Sequence, residues 1–213
     1  MPVTSFNSQF RPLSTVDLPA FSGVRVMMMP LILGDLDSVP DSLAAWRPTL
    51  ETLFELGGHA GEVGYITIDE KTILPGETHR RAGKHVDGIY RNGLGGWGGG
   101  WGSTATGMIT VASHPACLAW SGEFQGWPGD EGSCEHLSDQ CNQLESTLFE
   151  GGRAYWVHGL CVHESLPFET PVDRQFVRLS LPSTAPWFEG YTENPLGVLP
   201  TGPILPPRPF MSR

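Results

Sequence analysis

Basic residues are scarce in this chain: 13 Lys and Arg stand against 23 Asp and Glu, for a formal net charge of −10. The nearest thing to a basic run, Thr78-His79-Arg80-Arg81, is short. Binding to a phosphate backbone rests on clustered Lys and Arg, so the composition excludes a nucleic acid as the main partner. Long apolar runs are missing too. Val26 to Leu33 is apolar but far too short to span a bilayer, which excludes membrane insertion by a helix. The opening Met-Pro-Val-Thr-Ser-Phe lacks the basic region and apolar core of a signal peptide. Four cysteines (Cys117, Cys134, Cys141, Cys161) form no C-x-x-C pair and no zinc-ribbon spacing. They read as reduced thiols in a cytoplasmic protein. There is no βαβ rhythm, no Gly-rich phosphate loop ahead of a helix and no G-x-S-x-G elbow.

What is abundant is Gly and Pro, 27 and 19 residues, without a collagen period and with apolar runs between them. That mixture implies many short strands joined by turns. At 213 residues the chain fits a single domain, 1–213. Residues 1–20 read as an irregular lead-in, and Gly23 to Leu33 as a strand whose Pro30 places it at an edge or bulge. Asp41 and Ser42 start a helix with Leu43, Trp46, Leu50, Leu53 and Phe54 at helical spacing, broken by Pro48 into a kink or two pieces. Strands are expected at Glu62 to Asp69, Lys84 to Tyr90, Gly107 to Ala112, Cys117 to Ser121, Ala154 to Val162 and Arg174 to Leu181. Cys134 to Phe149 reads as an amphipathic surface helix, and the Pro-rich tail after Pro182 as an extended segment. The pattern predicts a mainly β protein, a double-stranded β-helix (jelly-roll or cupin-like) barrel over about residues 60–181 with a few flanking helices.

Within this frame His85-Val86-Asp87 carries chemistry. Residues i and i+2 of a strand share a face, so an imidazole and a carboxylate project together. An H-x-D triplet alone is weak, arising by chance in about one such sequence in three. His163, near the end of the Ala154 to Val162 strand, strengthens it. Arg174 and Arg178 follow on the next strand, on one face. Two imidazoles and a carboxylate on one side of a metal leave adjacent positions open, the facial arrangement suited to non-haem iron(II).

The order H-x-D … H … R over roughly residues 60–181 resembles the iron(II)/2-oxoglutarate-dependent oxygenases, whose fold is a double-stranded β-helix. The resemblance implies that His85, Asp87 and His163 hold Fe(II), and that Arg174 or Arg178 clamps the far carboxylate of 2-oxoglutarate. Arg174 has the better spacing, and Arg178-Leu179-Ser180 has the R-x-S form seen in some members, which brings Ser180 into the cofactor site. The implied reaction consumes O2, releases succinate and CO2, and hydroxylates, cyclises or desaturates a small-molecule substrate. Asp87, in place of a small residue, favours such oxidation over halogenation. The Gly-rich loop Gly93 to Gly102 is not a general feature of that family.

Around these residues, Arg80 and Arg81 suit an anionic group of the substrate, since Arg presents a planar fork to carboxylates. Surface placement is the equal alternative. Trp97 and Trp101 suit an active-site lid, or simple burial against the barrel. Tyr90, at the end of the metal strand, and His158, a wall residue of opposite parity to His163, are candidate substrate-binding residues; a bulge would make His158 the substitute ligand. His79, His114 and His136 read as structural. A competing assignment uses the same three ligands in a cupin-like metal enzyme (dioxygenase, oxidative cyclase or isomerase) that does not use 2-oxoglutarate. A third is a ligand-binding barrel without catalysis. Substrate and oligomeric state are not legible in the sequence.

Overall fold

Val63–Ile73 is rich in β-branched and aromatic side chains, which favour extended backbone. It forms an interior strand of the larger of the two main antiparallel sheets. The computed structural model describes residues 5–87, 89–90, 94–95, 107–183 and 186–206. In chain order the strands are β1 (Ser5–Ser8), β2 (Phe10–Thr15), β3 (Arg25–Ile32), β4 (Val63–Ile73), β5 (Ile89–Tyr90), β6 (Leu94–Gly95) and β7 (Met108–Ala112). They continue with β8 (Cys117–Gln125), β9 (Glu145–Leu148), β10 (Arg153–Val157), β11 (Val162–Ser165), β12 (Val172–Ser180), β13 (Trp187–Phe188) and β14 (Ile204–Leu205). Two α-helices, α1 (Arg47–Gly57) and α2 (Ser138–Cys141), and four short 3₁₀ turns complete the described elements. The protein is mainly β.

The larger sheet has the order β2-β10-β7-β12-β4-β3. The smaller has the order β1-β8-β11, with β9 also paired to β8. Residue 85 bridges to residue 163 beside it. The faces of the larger sheet differ in chemistry. Ile66 and Ile68 of β4, Ile109 and Val111 of β7, and Val177 and Leu179 of β12 pack against Leu50, Leu53 and Phe54 of α1. Each such buried side chain contributes about 1.5–3 kcal/mol. The residues of opposite parity include Thr67, Asp69, Thr110, Arg174 and Arg178. Burying charges in a sheet interior is costly unless they are paired or used, so this polar face marks the functional side.

Several expectations hold. Pro30 lies in an edge strand whose pairing is interrupted by a register shift between Val26 and Met29. The helical region falls into two pieces, a 3₁₀ turn at Asp41–Trp46 and α1, with Pro48 in the first turn, where its missing N–H costs nothing. The described part of the tail, 186–206, lies on the body as expected, although turns fold it back so that β13 pairs with β14: Trp187 Nε1 donates to Met28 O at 2.8 Å, and Asn194 Nδ2 to Pro30 O and Ser38 O, both at 2.9 Å.

Others are corrected. Part of the supposed irregular lead-in forms β1 and β2, one joined to each sheet. The expected helix over Cys134 to Phe149 is a 3₁₀ turn and the single turn of α2, followed by β9. Leu137 and Cys141 of its apolar stripe do bury, with Leu144 packed against them, but Glu145–Leu148 pairs with the free side of β8. A strand partner there satisfies backbone groups that a continued helix would leave open. Ala154 to Val162 is not one strand. β10 stops at Val157, and a turn closed by Cys161 N to His158 O (2.9 Å) carries the chain into the other sheet. Lys84 to Tyr90 is not a continuous strand either: bridges at His85 and the short β5 are what form.

Candidate metal centre

His85 and His163 stand directly opposite each other across the smaller sheet. Their main chains exchange both hydrogen bonds, His85 N to His163 O at 3.0 Å and His163 N to His85 O at 2.9 Å. The ring centroids are 4.4 Å apart. Each Nδ1 faces the carbonyl two residues back, Gly83 O at 2.7 Å and Cys161 O at 3.0 Å. A proton on Nδ1 donates there and leaves the Nε2 lone pair for a metal, as in most histidine-ligated centres. The Nε2 atoms lie 3.9 Å and 3.8 Å from Asp87 Oδ1 and Oδ2. One ligand atom from each of the three residues lies within 4.8 Å of the others.

Electrostatics suit a cation. Burial, and then the charge of His163, push the His85 imidazole down to about 3, so it stays neutral and able to ligate. Burial alone would raise the Asp87 carboxyl, but Arg178 foremost, with the two histidines, holds it well below the usual carboxylate range. Arg178 Nη1 donates to Asp87 Oδ2 at 2.9 Å from a side chain that is almost fully buried. Gly132 shapes the segment between the ligands. Its carbonyl accepts from Val86 N at 2.8 Å, its φ is +74°, and a Cβ there would sit 2.2 Å from Val86 O.

The triad opens onto a pocket of about 610 Å³, counting its mouth. Both sheets line it. Met108, Thr110, Val157, Phe176 and the two arginines come from the larger, and Cys117, His163 and Ser165 from the smaller. Four of the chain's 13 basic residues (Arg80, Arg81, Arg174, Arg178) line it, whereas Asp87 is the only one of the 23 acidic residues seen there among the described residues. A chain of net charge −10 has gathered cations around one cavity, and that favours an anionic ligand.

The two β12 arginines do different things. Arg178 braces the ligand carboxylate. Arg174, four residues away and so about 13 Å along the strand, is 2% exposed. It donates from Nε to His114 O at 3.1 Å and from Nη1 to His79 Nδ1 at 3.0 Å, and lies over the Phe168 ring. Among the described residues no carboxylate comes within ion-pair distance of it. Burial pushes its pKa down to about 10. Behind His79 stands Asp69, whose Oδ2 is 3.4 Å from His79 Nε2 and 2.8 Å from Arg80 Nη1, while Oδ1 takes Arg25 Nε at 3.2 Å. Arg80 stacks 5.0 Å above the Phe176 ring. Arg81 lies at the exposed rim and donates to Glu131 O at 2.7 Å.

The other candidates fare unevenly. Ser180 is buried away from the pocket lining, with its Oγ 3.7 Å from Met28 Sδ. It shares the parity of Arg178 but sits beyond the cavity, over the packing of Met28 and Tyr65. His158 lies in the turn between the sheets, where Nδ1 accepts from Leu160 N at 3.2 Å, and it does not line the cavity. That turn removes the parity argument made for it. The backbone of Tyr90 is in β5, but its side chain, with Trp97 and Trp101, lies outside the described residues. Sequence reasoning missed the roles of His79 and Asp69. The proximity of His79 to Arg80 was a signal, but a loop histidine carries no periodicity that shows its direction.

Comparison with known proteins finds no match: no family model fits the chain, and no curated protein and no solved structure is significantly similar to it. No helix among the described residues is long and apolar enough to cross a membrane.

Proposed function

We propose that this chain is a non-haem iron(II)- and 2-oxoglutarate-dependent oxygenase that hydroxylates, cyclises or desaturates a small molecule. One juxtaposition carries the reading: a His85, Asp87, His163 face and a buried Arg174, with no carboxylate partner among the described residues, share a single cavity. The donor set fits the metal. Two imidazoles and one carboxylate from one side make the facial triad, and carboxylate plus imidazole is a set that iron(II) accepts.

Strand pairing supports a double-stranded β-helix. Taking β4, the His85 segment, β7, β8, β9, β10, β11 and β12 as eight successive strands, the pairs are first with eighth, second with seventh, third with sixth and fourth with fifth. That is the pairing of a long hairpin rolled into two facing sheets, as in a jelly roll.

Bound iron(II) supplies the oxidising chemistry, coupling O2 to the decarboxylation of 2-oxoglutarate into succinate and CO2. The chain supplies position. Arg174, which has no carboxylate within ion-pair distance among the described residues, would hold the distal carboxylate. Arg178, donating to Asp87 Oδ2, would hold that carboxylate in place beside the two histidines. Met108, Phe149, Val157 and Phe176 give the cavity apolar walls that limit water.

Anaerobic titration of the iron(II)-loaded protein with 2-oxoglutarate tests this. The expected result is a weak visible charge-transfer band that is lost in Arg174→Ala. No band despite stoichiometric iron would refute the co-substrate and leave a cupin-like metal enzyme in which Arg174 binds the substrate itself.

A further inference from the structure

We propose that His79 is the positioning residue of the anion clamp: its neutral imidazole, backed by Asp69, aims Arg174 into the cavity, and protonating it releases the clamp. This rests on the oxygenase reading above.

A guanidinium has donors and no acceptor, so a buried one is oriented by the acceptors around it. Arg174 has two among the described residues, the His114 carbonyl and His79 Nδ1. An imidazole nitrogen accepts only when it carries no proton, so the 3.0 Å contact requires a bare Nδ1. Any ring proton then sits on Nε2, whose neighbouring acceptor among the described residues is Asp69 Oδ2, at the long distance of 3.4 Å. The His79 side chain has no solvent exposure, so bulk water does not stand in for either partner.

The choice of residue has a physical logic. An aspartate in this place would also aim Arg174, but it would cancel the positive charge that an incoming carboxylate needs. A neutral imidazole orients the guanidinium and leaves its charge for the ligand. Asp69 acts at one remove, and its own charge is taken up by Arg80 and Arg25.

Protonation reverses the arrangement. The Nδ1–H of an imidazolium would meet the Nη1–H of Arg174, donor against donor and cation against cation. The charged groups facing His79 are Asp69 from β4, Arg174 from β12 and Arg80 from its own segment, with the Phe176 ring edge-on at 6.3 Å. Burial foremost, opposed by Asp69 and aided by the two arginines, lowers the His79 pKa and keeps the ring neutral near pH 7.

The test is the dissociation constant of 2-oxoglutarate from the iron(II)-loaded protein under anaerobic conditions, read from the charge-transfer band from about pH 8 to about pH 5.5. Iron content is checked at each pH, so that any loss of the metal is separated from loss of 2-oxoglutarate. Wild type, His79→Asn and His79→Ala are compared. Asn places a neutral, non-titrating oxygen near the position of Nδ1, and Ala removes the acceptor. The proposal expects wild-type affinity to fall by up to about tenfold per pH unit once His79 takes up its proton. His79→Asn keeps wild-type affinity at the upper pH and shows a flatter profile, while His79→Ala loses about tenfold throughout. An Ala variant that binds like wild type, or an Asn variant with the wild-type pH profile, overturns the role of His79 alone. Absence of the band in iron-loaded wild type overturns the oxygenase reading and this proposal with it.

Discussion

Replacing Arg178 by Met removes the counter-charge of Asp87 while keeping most of the length of the side chain. In the metal-free protein this leaves a carboxylate enclosed beside two histidines, its 2.9 Å partner gone. Breaking a buried ion pair from one side costs about 3–5 kcal/mol. Asp87 keeps 18% of its side-chain surface open, so the lower end, about 3 kcal/mol, is the better figure. For a chain of this length that corresponds to a fall in Tm of about 6–12 °C. A divalent cation held by His85, Asp87 and His163 would supply the missing positive charge. The loss should therefore shrink to less than half when Zn(II) or Co(II) is present at saturation. Thermal unfolding followed by circular dichroism, with and without metal, for wild type and Arg178→Met, gives the four values needed. Equal losses in the two conditions would refute the reasoning and show that Arg178 stabilises by packing.

Further outcomes follow from the same geometry. His163→Ala removes one of three ligands and should weaken Zn(II) binding, measured calorimetrically, by about 100-fold or more. Gly132→Ala meets Val86 O and a positive φ at once; it should lower stability by about 2 kcal/mol and weaken metal binding, whereas normal stability would show that the loop relaxes freely. The depressed pKa of His85, about 3, lies below its unfolded value near 6.5. The folded state binds fewer protons between those values, so this contribution to metal-free stability is fully present above about pH 6.5. It is lost as pH falls toward about 3, at about 1.4 kcal/mol per unit. His85→Asn should reduce that slope in urea titrations, and an unchanged slope would contradict the assignment. Burial pushes Cys117 and Cys134 up to about 12 and Cys161 higher still. Native protein at about pH 8 should therefore react slowly with thiol reagents at these positions and label readily only in urea.

The fold and the site were legible to different depths. Alternation and β-branching marked β4, β7 and β12, because those strands must bury one apolar face against α1. Period two also put His85 and Asp87 on one side, and they reach one cluster although their segment is hardly a strand. Two kinds of information were absent. A stripe such as Leu137, Cys141 and Leu144 reports which residues bury and says nothing about whether an open strand edge competes for the backbone, as β8 does for Glu145–Leu148. Parity likewise puts Arg174, Arg178 and Ser180 on one face but gives no depth. Only the register of β12 against β4 and β7 separates the arginine that braces Asp87 from the one left without a carboxylate, and both from a serine outside the cavity.

The main-chain pairing of residues 85 and 163 also bears on how such a centre can change over time. Two peptide units that exchange both their hydrogen bonds make the same contact whatever side chains they carry, proline excepted. The scaffold is thus indifferent to the identity of the two histidine side chains it presents. A lineage can swap either histidine for another residue, and with it whatever affinity for a cation the cluster has, and keep the sheet that presents the position. Chemistry at this centre is open to revision one side chain at a time, while the backbone that aims it stays fixed.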